Sequence, residues 1–125
     1  MNFPENLRYT DDHEWLKETG NGEALVGVTD FAQNELGDIV FVEVETVGET
    51  LDKGETFGTI EAVKTVSDML MPVSGEILEF NDLLADKPES INKDPYGTGW
   101  VVKIKMSDPA EVATLLTAAE YKEKV

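Results

Sequence analysis

The sequence predicts a mainly β fold, with a short helix after the first strands and a second helix at the C-terminus. Three observations carry this expectation. Strand patterns recur at ALVGV (Ala24 to Val28), GDIVFVEVE (Gly37 to Glu45), TFGTIEA (Thr56 to Ala62) and WVVKIKM (Trp100 to Met106), with period-two alternation in the second and fourth. Glycine-rich turn chemistry such as VGETLDKGE separates them. An internal echo relates GDIVFVE to GEILEFN from Gly75, and GETF from Gly54 to GTGW from Gly97. The echo is either coincidence or the trace of two related halves; two halves would form two small sheets packed face to face.

Along the chain, ALVGV reads as a buried strand. TDFAQNELG follows, where Asp30 and Gln33 have capping-box spacing and Gly37 can end a brief helix in the left-handed conformation. In the next strand Val40, Val42 and Val44 alternate with Ile39, Phe41 and Glu43, so both faces begin apolar. TFGTIEA runs up to Lys64 and TVSDMLM returns from it, which puts Lys64 at a hairpin tip. After Pro72 comes VSGEILEFN. WVVKIKM then places Trp100, Val102, Ile104 and Met106 opposite Val101, Lys103 and Lys105, the pattern of a half-buried strand. In SDPAEVATLLTAAEYKEK, Asp108 caps, Pro109 takes the first helical position and Glu111 follows three after the cap. Val112, Leu115, Leu116 and Ala119 line one face, predicting one continuous C-terminal helix on the sheets.

Length and composition narrow the function. At 125 residues and 41% hydrophobic content the chain fits one domain, 1–125, able to bury roughly two thirds of its unfolded surface. A formal charge of −16 disfavours nucleic acid and anionic membrane surfaces and steers the molecule toward basic patches on other proteins. The absence of cysteine excludes disulfides, thiolate metal sites and thiol nucleophiles. The N-terminal MNFPENLRYTDDHEW shows neither an apolar signal core nor an Arg/Ser-rich transit pattern, and no apolar run is long enough to span a bilayer. A bacterial cytoplasmic protein is expected, or a mitochondrial matrix protein if the chain is a mature organellar form.

Catalytic constellations are missing. The single histidine, His13, cannot build a nucleophilic triad without a serine or cysteine partner that the pattern identifies. Asp11, Asp12, His13 and Glu14 could be read as metal ligands, but one imidazole among adjacent acids more often forms a cap or a solvated turn. Neither GxxxxGK[ST] nor a strand-to-helix GxGxxG is present. What remains is an acidic scaffold with an exposed lysine at a strand turn. Such a lysine does little chemistry while protonated, yet it can serve as an attachment point on rigid strands.

GDIVFVEV (Gly37 to Val44), FGTIEAVKTVSD (Phe57 to Asp68), PVSGEI (Pro72 to Ile77) and INKDPYGTGW (Ile91 to Trp100), with HEW at His13, closely resemble the H proteins of the glycine cleavage system, in order and along nearly the whole chain. The resemblance implies a barrel-sandwich hybrid of two small antiparallel sheets, like lipoyl and biotinyl domains, with lipoic acid joined by an amide to Lys64. It implies a non-enzymatic carrier and, by expectation, a monomer. The aminomethyl group of glycine would come from a pyridoxal-phosphate decarboxylase (P protein) and pass to the aminomethyltransferase (T protein). Dihydrolipoamide dehydrogenase (L protein) would take the electrons, and a lipoyl/octanoyl transferase or lipoate ligase would load Lys64. The resemblance also places Glu14 and Asp68 beside a cleft that shelters the arm; on their own, Glu14 reads as a turn residue and Asp68 as a solubilising one.

Two departures from the family pattern stand out: Ala62 replaces the common serine before Val63-Lys64, and Val44 to Thr46 replaces a Leu-Pro. Neither touches the attachment amine. Val63-Lys64-Thr65 also lacks the Met-Lys-Met and Asp-Lys-Ala signatures of biotin carriers and acyltransferase lipoyl domains. Two alternatives stay open on the sequence: an H-like protein relaying lipoyl groups to other carriers, and an unlipoylated binding or regulatory module.

Overall fold

A computed structural model describes all 125 residues. Nine strands form two antiparallel sheets. The larger contains β1 (Arg8–Tyr9), β2 (Glu14–Gly20), β3 (Glu23–Val28), β5 (Thr50–Leu51), β8 (Gly75–Phe80) and β9 (Val102–Met106), in the order β1-β2-β3-β9-β8-β5. The smaller has the order β4-β6-β7, from β4 (Ile39–Glu43), β6 (Thr56–Ala62) and β7 (Val66–Leu70). Neither sheet closes on itself. Leu16, Val26, Ile77 and Ile104 of the larger sheet meet Val42, Phe57, Ile60 and Met69 of the smaller in one buried cluster. Burying each such side chain contributes about 1.5–3 kcal/mol against the ordering entropy of the chain.

The echoed segments separate as two-sheet packing requires. GDIVFVE supplies β4, which pairs with β6 in the smaller sheet; GEILEFN supplies β8, which pairs with β9 in the larger. The sheets are unequal because the N-terminal hairpin extends the larger one through β2 and β3, whose register sets Trp15 opposite Gly27. A Cβ at Gly27 would stand 2.7 Å from the Trp15 ring, so only glycine lets that indole lie over the neighbouring strand. Trp15 then donates its ring N–H to the Pro95 carbonyl at 3.0 Å. On that outer face, a second buried cluster gathers Leu7, Tyr9, Trp15, Ala118 and Tyr121, with Tyr9 and Tyr121 stacked at 4.8 Å.

Three local expectations are corrected. The alternation in GDIVFVEVE is broken by a register shift between Ile39 and Phe41. The bulge turns Ile39 and Val42 into the core and leaves both Val40 and Phe41 exposed. The first helix, α1 (Asp30–Leu36), is capped one residue earlier than expected: Thr29 accepts from the Ala32 N–H at 3.1 Å. Asp30 is already helical, and its carboxylate instead accepts from the Gln33 amide. Gly37 ends the helix at a positive φ of +79°, as the sequence indicated, but its ψ of −155° places it outside the left-handed helical conformation, in an extended region open to glycine.

The C-terminal helix is two pieces. A 3-10 segment spans Pro109–Thr114, Leu115 is extended, and a separate helix begins at Ala118. The break is made by Leu116, which exchanges both backbone hydrogen bonds with Tyr9 of β1, at 2.8 and 2.9 Å. Two short helices, α2 (Leu83–Asp86) and α3 (Ser90–Lys93), lie between β8 and β9, and α4 is the helix Ala118–Lys124. Ala119, expected on the buried face, is exposed; Ala118 and Tyr121 are buried in its place.

Candidate functional site

Lys64 sits at the tip of the β6–β7 hairpin. Ala62 donates to the Thr65 carbonyl at 2.7 Å, closing a two-residue turn around Val63 and Lys64. Val63 donates to the Asp38 carbonyl at 3.1 Å, which ties the tip to the turn after α1. That turn is held in its own right by Asn92 of the INKDPYGTGW motif. Its amide nitrogen donates to the Gly37 carbonyl and the Gln33 side chain, and its oxygen accepts from the Ile39 N–H at 3.0 Å. The Lys64 stem lies over Gly37, so close that a Cβ there would be 3.6 Å from its Cε. The ammonium is exposed and has no hydrogen-bond or ion-pair partner in the protein.

A cleft of about 290 Å3 runs beside this tip, between α1, the start of β2, and strands β6 and β7. Its apolar walls are Val28, Phe31, Ala32, Leu36, Ile60 and Met69. Four of its six polar lining residues are acidic, Asp12, Glu14, Glu35 and Asp68; His13 and Ser67 are the others. The structure therefore brings Glu14 and Asp68, from segments over fifty residues apart, to one cavity. Lys64 is not among the lining residues; its stem lies over Gly37, the residue that follows the lining Leu36 at the C-terminal end of α1.

The two carboxylates differ sharply. Asp68 lies on the exposed edge strand of the smaller sheet. Glu14 is only 2% exposed, far from the solvated turn residue that its flanking sequence suggests. Thr10 donates its hydroxyl to one Glu14 oxygen at 2.8 Å, and the Leu70 N–H donates to the other at 3.0 Å. Glu14 thus satisfies an edge-strand donor and bridges the two sheets at the cleft. Burial pushes its carboxyl from the ordinary 4.5 up to about 7; the two hydrogen bonds pull the other way, and the nearby Asp12 charge adds to the rise.

His13 does not gather the neighbouring acids around itself. Its Nδ1 is 2.8 Å from the Tyr121 hydroxyl, which also meets the Thr29 hydroxyl at 2.8 Å. One phenol from the C-terminal helix thereby holds together the loop that ends in Glu14 and the cap of α1. Thr10, Glu35 and Tyr121 are site residues that sequence reasoning missed. Thr10 and Glu14 carry the local Thr-to-Glu spacing of a turn, but nothing in the sequence signals a contact between Tyr121 and His13, 108 positions apart.

Fold and site together define a class: a small two-sheet β protein that presents one lysine amine on a clamped hairpin tip beside an anionic cleft. A family model described as Glycine cleavage H-protein matches residues 7–125. The chain is 58% identical over 125 residues to the glycine cleavage system H protein of Bacteroides thetaiotaomicron, covering all of this chain and 98% of that one. It is 60% identical over 126 residues to the protein of the same name from Chlorobium luteolum, with the same coverage. A crystal structure of a glycine cleavage system H protein from Mycobacterium marinum superimposes with a TM-score of 0.88 at 43% identity, covering 97% of each chain. The chain belongs to the glycine cleavage H-protein family, the carrier component of the glycine cleavage system.

Proposed function

We propose that residues 1–125 form one lipoyl-carrier domain that moves the aminomethyl group of glycine from the pyridoxal-phosphate decarboxylase to the aminomethyltransferase, and electrons to dihydrolipoamide dehydrogenase. Members of the family carry lipoate, and Lys64 is the attachment site in this reading. The observation that carries it is the Lys64 amine, unpartnered at a rigid hairpin tip beside a cleft lined by four carboxylates. The residues present fit the group: an acylated lysine needs an amine free of competing ion pairs, and a flexible apolar arm needs an apolar wall ending in polar contacts. Lipoate supplies the disulfide and dithiol chemistry when bound.

The chain's own residues have separate tasks. The clamped turn at Ala62 to Thr65 fixes where the tether starts, which concentrates the cargo at each partner's active site. Val28, Phe31, Ile60 and Met69 exclude water from whatever enters the cleft. Asp68 and Glu14 meet a cationic ammonium with charge-assisted hydrogen bonds that a neutral group cannot return. Because the buried Glu14 carboxyl titrates near neutrality, a cation arriving beside it drives off its proton and makes it a stronger partner. The carrier then grips its arm when loaded and frees it when empty. No helix of the protein is long and apolar enough to cross a membrane; the proposed location is the bacterial cytoplasm.

The test is covalent and direct. Intact mass and peptide mapping of protein from lipoate-replete cells should find lipoate on Lys64 and on no other lysine. Lys64→Arg keeps the charge but cannot form the lipoyl amide, so glycine cleavage should vanish while stability stays within about 0.5 kcal/mol. Unmodified Lys64 in the native protein, or turnover retained in the variant, would overturn the proposal.

A further inference from the structure

His13, the residue before Glu14, has φ +68°, in the left-handed region that a residue with a Cβ keeps only where its surroundings hold it. Its backbone is tied on both sides. The His13 N–H donates to the Thr10 carbonyl at 3.2 Å, and its carbonyl accepts from the Thr29 N–H at 3.0 Å. Its ring has one hydrogen-bond partner, the Tyr121 hydroxyl, 2.8 Å from Nδ1, and lies against Phe31 of α1 at 4.8 Å. The same hydroxyl reaches the side chain of Thr29, which is fully buried and caps α1. The loop at 12–14 and one face of α1 both line the cleft, and Tyr121 does not.

Packing of the Tyr121 ring does not need its hydroxyl. The ring stacks on Tyr9 at 4.8 Å and meets Phe3 edge-on at 5.3 Å, contacts that a phenylalanine would keep. Burial above all holds the phenol above its ordinary range, against the pull of the Thr29 bond and with the Glu14 charge adding to the rise, so it stays a neutral donor. What the hydroxyl adds is a tie between two walls of the cleft.

We propose that Tyr121 is a positioning residue: through the His13 ring and the Thr29 hydroxyl it fixes the loop that carries Glu14 against the start of α1, and so sets how long the cleft protects a loaded arm from water. The proposal rests on the reading of that cleft as the shelter of an aminomethylated arm. Loss of the cargo is a hydrolysis in which water supplies the oxygen of formaldehyde, the nitrogen leaves as ammonia and the thiol of the arm is restored. It needs water at the aminomethyl carbon, and it is slowed while carboxylates hold the nitrogen as an ammonium, because the free nitrogen pair is what expels the thiolate. Both conditions depend on the closeness of the walls and the aim of Glu14. Without the phenol, His13 loses the one side-chain hydrogen bond that holds it in the left-handed conformation. Glu14, the next residue, then loses the fixed start from which its carboxylate reaches Thr10 and Leu70. In this way α4 controls a cleft that it does not line.

The test begins with unmodified protein. His13 is the only histidine, so its ring nitrogen-15 resonances in labelled full-length protein assign themselves. Tyr121→Phe should move the Nδ1 resonance while the melting temperature falls by no more than a few degrees. The proteins are then lipoylated, aminomethylated with glycine and the decarboxylase, and kept from the aminomethyltransferase. Tyr121→Phe should release ammonia and formaldehyde about fivefold faster than wild type, the change that one lost hydrogen bond supports. His13→Ala removes the other half of the contact and should do at least as much; the double variant should match it within about twofold, because both changes break one tie. Ile104→Val, a core truncation outside the cleft lining, should release its cargo like wild type despite lower stability. Release from Tyr121→Phe at the wild-type rate overturns the inference, and so does an unmoved His13 resonance. Equally fast release from Ile104→Val overturns it too, by making the effect one of global stability. If wild type loses its cargo as fast as free aminomethyl-dihydrolipoamide, the shelter reading itself falls, and the role of Tyr121 with it.

Discussion

At the residue scale, Glu14 combines a structural and an electrostatic role. Its carboxyl titrates at about 7 when folded and 4.5 ordinarily, so between these values the folded state holds a proton that the unfolded state has lost. The stabilisation from that proton is complete below about pH 4.5 and disappears as pH rises through 7. Glu14→Gln mimics the neutral form and keeps hydrogen-bonding atoms toward Thr10 and Leu70. Denaturant unfolding should therefore show Glu14→Gln more stable than wild type at pH 8, by on the order of 3 kcal/mol, with the advantage gone near pH 4.5. A constant difference across that range would refute the buried titration. The same carboxylate and Asp68 should matter for cargo. In protein loaded with the aminomethyl group and kept from the aminomethyltransferase, Glu14→Ala and Asp68→Ala should each release ammonia and formaldehyde faster than wild type. Equal release from all three would remove both residues from the shelter.

At the element scale, the broken C-terminal helix explains how a seven-residue α4 persists. Thr117 accepts from the Glu120 N–H at 3.2 Å, and the Glu120 carboxylate accepts from the Thr117 N–H at 2.9 Å, completing a capping box. That reciprocal pair also holds the Glu120 carboxyl below its ordinary range. Thr117→Ala should cost about 1 kcal/mol of global stability, read as a melting temperature a few degrees lower. It should also loosen Tyr121 from His13 and Thr29, seen as faster amide exchange at those positions. The signal was present in the sequence as Thr-Ala-Ala-Glu from Thr117, but the apolar periodicity of Val112, Leu115 and Leu116 outweighed it. Periodicity cannot show that Leu116 is needed by a strand edge 107 residues away.

At the scale of the whole molecule, the charge is uneven as well as large. Between residues 18 and 86 the only basic side chains are Lys53 and Lys64, and the whole protein has two ion pairs, Lys103 with Glu23 and Lys124 with Asp11. Self-repulsion among carboxylates therefore opposes the compact state, and salt screens it. At pH 7 the melting temperature should rise by several degrees between 10 and 300 mM NaCl, figures on the scale over which the Debye length shortens from about 30 Å to below 8 Å. A flat or falling profile would show that the acids are balanced locally.

What the sequence determined by itself was the set of elements with local causes. Short apolar and β-branched runs gave the existence of the strands β3, β4, β6 and β9, Gly37 the end of α1, and the turn between two such runs the exposed position of Lys64; the ordered motifs gave the family. Each depends on neighbours a few residues apart, and side-chain period and turn chemistry report those directly. The tertiary structure alone decided the bulge that exposes Val40 and Phe41, the split of the C-terminal helix, and the burial of Glu14. From its flanking letters Glu14 is a solvated turn residue; it is buried because the Leu70 N–H of an edge strand, 56 positions away, lacks a strand partner there and takes its carboxylate. Hydrogen-bond demand at a sheet edge is a property of the assembled sheets, and no local pattern contains it.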